Sequence, residues 1–130
     1  MQQTHFNEKY PVYELVLSKQ ETTAQNAAEV IARLKAQILA NPNAAFIGLF
    51  DHYAHTRALP EGEIAPEILA AQHIIFCFGI KLPNPRVMAV RPRSIGVTEF
   101  ADQFVINFLE PPMPIATQAM EAWVMALRDR

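Results

Sequence analysis

The chain has 130 residues, 51% hydrophobic and 18% charged, with a net charge of −2. That composition builds a packed core in one domain and excludes disorder. The negative balance argues against a general nucleic-acid binder. The longest apolar runs, residues 44–50 and 74–80, fall far short of the ~18 residues of a membrane span.

In chain order, residues 1–10 read as a polar arm and residues 11–130 as a single domain. "VYELVL" (12–17) alternates, with Tyr13, Leu15 and Leu17 on one face of a strand. Thr22 or Thr23 is placed to cap the helix that follows. In that helix Ala27, Val30, Ile31, Leu34 and Ile38 recur at three- and four-residue steps, and Asn41-Pro42 ends it. "AAFIGLF" (44–50) is apolar on both faces, as in a central strand.

"HYAHTRALPEGEIAP" has the composition of a loop. Pro66 can open a short helix, "PEILAAQ". "IIFCFGI" (74–80) is the third strand, and within it Cys77, the single cysteine, has the setting of a small buried hydrophobe. Residues 85–91 fit either a strand or a helix begun by Asn84-Pro85 and stopped by Pro92. "SIGVTEF" and "QFVINFLE" make a hairpin across Ala101-Asp102. Pro114 opens a last helix with the stripe Ala116, Met120, Trp123 and Leu127.

The order β-α-β-(α)-β-(α)-β-β-α implies an α+β fold, a mostly antiparallel five-stranded sheet with helices packed on one face. Several strands are apolar on both sides, so the second face is expected to meet another subunit in a homodimer. The first residues lack the basic start and apolar stretch of a secretory signal, and cytoplasmic residence is the expectation.

Two polar segments stand out. "DHYAHTR" (51–57) leaves the end of an apolar strand, a favoured place for sites. His52 and His55 would face the same way on a helical turn and share a metal ion. Asp51 would complete the set or orient one imidazole, and His73 would be a third nitrogen if its strand is a neighbour. Without a metal, Asp51, His52 and His55 are the candidate acid–base groups. The plain alternative is a polar loop bonded to backbone.

The second segment is "RPRS" (91–94). It lies in a stretch without acids between Glu67 and Glu99 that also holds Lys81 and Arg86. Arg91, Arg93 and Ser94 suit a small carboxylate or phosphate, and the plain alternative pairs the arginines with Glu61, Glu63 or Glu67. Folded together, the segments would form one cleft for a small anionic metabolite, with Tyr53, Arg57, Arg91, Arg93 and Ser94 holding it. The other readings are a metal-binding protein or metal-dependent enzyme using His52, His55 and Asp51, and an interaction or scaffold domain without ligand. No nucleotide loop, zinc-finger spacing or nucleophile signature is present, and these motifs leave the cofactor unknown.

From residue 74 the apolar strand, Asn84-Pro85, Pro92 and Ile95-Gly96 together resemble the bacterial domain-of-unknown-function 302 family. The resemblance implies a compact sheet with helices on one side, often dimeric, and a helical 85–91. The chain lacks that family's Pro-Cys-Asn turn, and "HYAHTR" is not a feature of it.

Overall fold

Period-two patterning becomes six strands in the computed structural model, which describes residues 1–6 and 9–130. They are β1 (Gln2–Phe6), β2 (Tyr10–Ser18), β3 (Ala44–Asp51), β4 (Ala70–Phe78), β5 (Arg93–Glu99) and β6 (Gln103–Leu109). All pairs are antiparallel, in the order β1-β2-β6-β5-β4-β3. The helices are α1 (Ala27–Ala40), α2 (His52–Arg57) and α3 (Pro114–Met125). The α+β class stands, with six strands in place of five.

The added strand comes from the expected polar arm, of which residues 7 and 8 lie outside the described residues. Gln3 pairs with Tyr13 and Thr4 with Val12. A polar segment can extend a sheet edge through its backbone groups, which side-chain polarity does not report.

Because β2 pairs with β6 while β3 lies at the far edge, α1 must carry the chain across the sheet. It buries the expected stripe, Ala27, Val30, Ile31, Leu34 and Ile38. Its cap is Asn26, whose Oδ1 accepts from the Glu29 N–H at 2.9 Å, in place of Thr22 or Thr23. Thr22 instead accepts the Ala24 N–H. Thr23 gives both its N–H and its hydroxyl to Asp129 at 2.7 Å, and these bonds hold the Asp129 carboxyl below its usual pKa.

Two other segments differ from expectation. No helix forms over "PEILAAQ": Pro66 sits in a turn, the Leu69 N–H bonds to the Glu99 carbonyl at 2.8 Å, and β4 starts one residue later. Ladder pairing to β5 outweighs a weak local helix start. Residues Pro85–Ala89 form a 3-10 turn capped by Asn84, the helical alternative.

The core lies between the sheet and α1 with α3, centred on Leu17, Leu34, Ile74, Phe76, Phe104 and Met120, all fully buried. Cys77 is only half-buried. Strand alternation turns it away from Phe76 and Phe78, onto the face that neither α1 nor α3 covers. Among the described residues, no helix is long and apolar enough to cross a membrane.

Candidate functional site

Antiparallel pairing decides which polar residues meet. Asp51 stands opposite Gln72, and Phe50 opposite His73, so the end of β3 adjoins the start of β4. Asp51 Oδ1 accepts the Ala54 N–H at 2.9 Å, which caps α2 and turns the expected loop into a short helix. Its carboxylate is therefore engaged by backbone and does not orient an imidazole.

His52, the first residue of α2, places Nδ1 2.9 Å from Nε2 of His73. One ring donates its N–H to the bare nitrogen of the other, the tautomers deciding which, and protonation of both rings would set two like charges in contact. His55 follows one turn later with its ring centroid 6.0 Å from that of His52. The Phe50 ring lies among all three imidazoles, at 5.2, 5.3 and 5.7 Å from His52, His55 and His73. Among the described residues, no group of three or more His, Cys, Asp or Glu side chains is arranged to hold a metal ion.

Sequence spacing found His52, His55 and His73, but not the row they join. On the same face Gly96 pairs with both His73 and Asn107, and Asn107 Nδ2 donates to Glu14 at 3.2 Å. A Cβ on Gly96 would meet Asn107 Oδ1 at 3.2 Å and the His73 ring at 3.7 Å, so the glycine leaves a notch between them. Only the register brings Glu14 and Asn107 into line with the imidazoles.

Burial, and then the neighbouring His52, lower the pKa of His73 below its ordinary 6.5. The unfolded chain therefore binds the proton more tightly. The stability from neutral His73 is fully present above 6.5 and is lost as pH falls from there through the lowered folded value. Thermal unfolding across this range should show a wild-type decline that His73→Gln flattens.

Tyr53 is half-buried against Ile64, Ile68 and Ala71 around a cavity of about 220 Å3. Arg57 is exposed at the last residue of α2.

The second segment lies elsewhere. Arg93 pairs with Phe76, four residues along β4 from Gln72, or roughly 13 Å at strand rise. The Arg93 side chain is on the helix-covered face with Phe76, whereas His73 is on the open one. In a meander the end of β3 meets the start of β4 and the start of β5 meets its end, so the two segments form no shared cleft.

The arginines also have partners other than Glu61, Glu63 or Glu67. Arg91 Nη1 donates to the Lys81 carbonyl at 2.6 Å, and its guanidinium lies against Gly79, which turns the chain off β4 at φ +87°. Arg93 donates to the Leu109 carbonyl at 2.6 Å and the Val90 carbonyl at 3.2 Å. Its Nε is buried and has no hydrogen-bond partner among the described residues, and burial lowers its pKa, although a guanidinium remains charged at neutral pH. Both arginines line a cavity of about 230 Å3 with Phe78, Val87, Met113 and Ala116. Ser94 is exposed on the open face opposite Ile75.

Fold and clusters together define an α+β protein with one antiparallel sheet and a polar locus on each face. Residues 1–129 match the model of a family of unknown function (DUF6858), and the chain belongs to that family. It is an uncharacterised family, as the resemblance implied, though the match does not carry the 302 name. No curated protein and no solved structure matches the chain.

Proposed function

We propose that the protein binds a small anionic metabolite with an apolar body in the cavity beside Arg91 and Arg93. The supporting observation is Arg93, a residue that lines that cavity and whose Nε is a buried donor with no hydrogen-bond partner among the described residues. Leaving such a donor unpaired costs about 1–3 kcal/mol, and a carboxylate that drew the Arg93 guanidinium into pairing would recover that energy. Among the described residues, no carboxylate lies within ion-pair distance of either arginine, so the half-buried charge of Arg93 is matched only by carbonyls.

Phe78, Val87, Met113 and Ala116 supply an apolar wall, which favours an organic anion over inorganic phosphate. The volume is below the ~300–1,000 Å3 of drug-sized sites, so the ligand is compact. The anion reading thus rests on the "RPRS" segment alone, with Arg91 and Arg93 as binding residues.

Thermal shift and calorimetry with acetate, hexanoate, benzoate and phosphate test it. Hexanoate or benzoate should stabilise the protein most, and Arg93→Ala should weaken binding by roughly tenfold or more, about 1.4 kcal/mol. Arg93→Lys, which keeps charge without the planar fork, should fall between. No response to any anion, or equal responses in wild type and a folded Arg93→Ala, would sink the reading.

A further inference from the structure

Two chain segments frame the cavity that Arg91 and Arg93 line: residues 79–92 between β4 and β5, and residues 111–116 at the start of α3. Three prolines interrupt each, Pro83, Pro85 and Pro92 in the first and Pro111, Pro112 and Pro114 in the second. Proline lacks the N–H that ladder pairing needs, so these segments stay outside the sheet. Their large apolar side chains are left in water: Ile80 is 95% exposed, Ile115 70% and Met88 64%, with Leu82 also mostly exposed. Each adjoins the cavity through a neighbour. Met88 follows Val87, and Ile115 precedes Ala116. Ile80 and Leu82 flank Lys81, whose carbonyl accepts from Arg91 at 2.6 Å. Met113 lines the cavity and is still 44% exposed, so it stands at the lip.

Scattered apolar residues on a surface are ordinary, whereas several gathered around one opening mark a place where something binds. The charge of the same segments narrows what that is. They hold Lys81, Arg86 and Arg91 and no Asp or Glu. Among the described residues, none of these three cations pairs with a carboxylate. Glu110, which borders the second segment, turns its carboxylate to Tyr13 and Gln3 at 3.4 Å. A cavity of about 230 Å3 encloses only a compact ligand. A longer chain with its head at the arginines therefore has to run out past Met113.

We propose, resting on the anion reading of this cavity, that its ligand is an alkyl carboxylate longer than the cavity itself. Arg91 and Arg93 take the carboxylate, and the tail lies out over Met113, Met88 and Ile115. Lys81 and Arg86 give the mouth a positive potential that draws in anionic amphiphiles and turns away cationic ones. The tail covers side chains that the fold leaves in water, and each methylene it buries adds affinity. Two of the three rim residues are methionines, unbranched and adaptable, which suits a chain without fixed shape.

Calorimetric titration with hexanoate, octanoate and decanoate, each as dissolved monomer, provides the test. A methylene fully removed from water tightens binding about fourfold and a half-covered one about twofold. Decanoate should therefore bind roughly tenfold or more tightly than hexanoate. The double variant Met88→Ser with Ile115→Ser should bring that ratio below about threefold. Leu39→Ser, at a mostly exposed position of α1 outside the cavity wall, should leave it unchanged. Decyltrimethylammonium, the same tail behind a cationic head, should bind about tenfold more weakly than decanoate. Binding of none of the three carboxylates would overturn the anion reading, and this proposal with it. Hexanoate binding with no gain for decanoate would leave that reading standing and overturn the tail. So would a gain that survives in the folded double variant, or equal affinity for the cationic amphiphile. Adsorption to anionic phospholipid vesicles without any response to dissolved decanoate would overturn the proposal in favour of a membrane surface.

Discussion

Phe76→Ala should lower the free energy of unfolding by about 4 kcal/mol, within the 3–5 kcal/mol typical of emptying a buried phenylalanine site. Phe76 is fully buried in β4, an interior strand of the sheet. Its ring meets Phe78 and Trp123 edge-on, with centroids 5.8 and 5.4 Å away. Phe78 and Trp123 in turn stack at 5.7 Å with planes 6° apart. These three rings fasten α3 to β4, and alanine leaves a void that rigid neighbours fill only in part. Domains have roughly 5–15 kcal/mol in total, so the midpoint should fall by more than about 10 °C. Trp123, the single tryptophan, reports the transition by fluorescence. Phe76→Leu should cost well under half as much, and a loss below about 2 kcal/mol for alanine would mean that α3 closes over the gap.

The residues around Phe76 also show what the sequence made readable. The stripes of α1 and α3 and the β5–β6 hairpin follow from local periodicity, and burial agrees with them at Val30, Leu34, Met120 and Trp123. Elements set by long-range pairing were harder to see. Gln2–Phe6 has no hydrophobic alternation and becomes a strand because β2 offers it an edge. Ala70–Gln72 looks helical in isolation and is drawn into the sheet by Thr98 and Val97 opposite Ala71 and Gln72.

The same distinction governs the site. The three-residue spacing of His52 and His55 indicated a common side on a helical turn, and α2 provides that turn. The approach of His73 depended on β3 and β4 being neighbours, which the pairing of Phe50 with His73 supplies. A cleft joining "DHYAHTR" to "RPRS" depended on which end of β4 each segment adjoins and on which face each side chain emerges. Residue type carries neither fact, because both are properties of strand order and register.

Glu99→Ala should destabilise the protein by roughly 2–3 kcal/mol through a different mechanism, the loss of a buried anchor. Glu99 ends β5 with only 9% of its surface exposed. One carboxylate oxygen accepts the Ala27 N–H at 2.8 Å, and the other pairs with Lys19 at 2.8 Å. Ala27 begins α1, so this N–H is one of the donors a helix start cannot satisfy internally. Negative charge there also suits the helix dipole. Alanine would strand the donor at a site where Ala27 is 1% exposed. Lys19 would suffer less, since its side chain is 24% exposed and can regain water, which keeps the total below the 3–5 kcal/mol of a fully buried pair. Glu99→Gln retains an acceptor and should cost about half as much as alanine, and Lys19→Ala about 1 kcal/mol or less. Chemical denaturation ranks the three, and hydrogen exchange in the first turn of α1 should accelerate selectively in Glu99→Ala. Equal losses for Glu99→Ala and Lys19→Ala would mean that the Lys19–Glu99 ion pair, not the tie between β5 and α1, carries the energy.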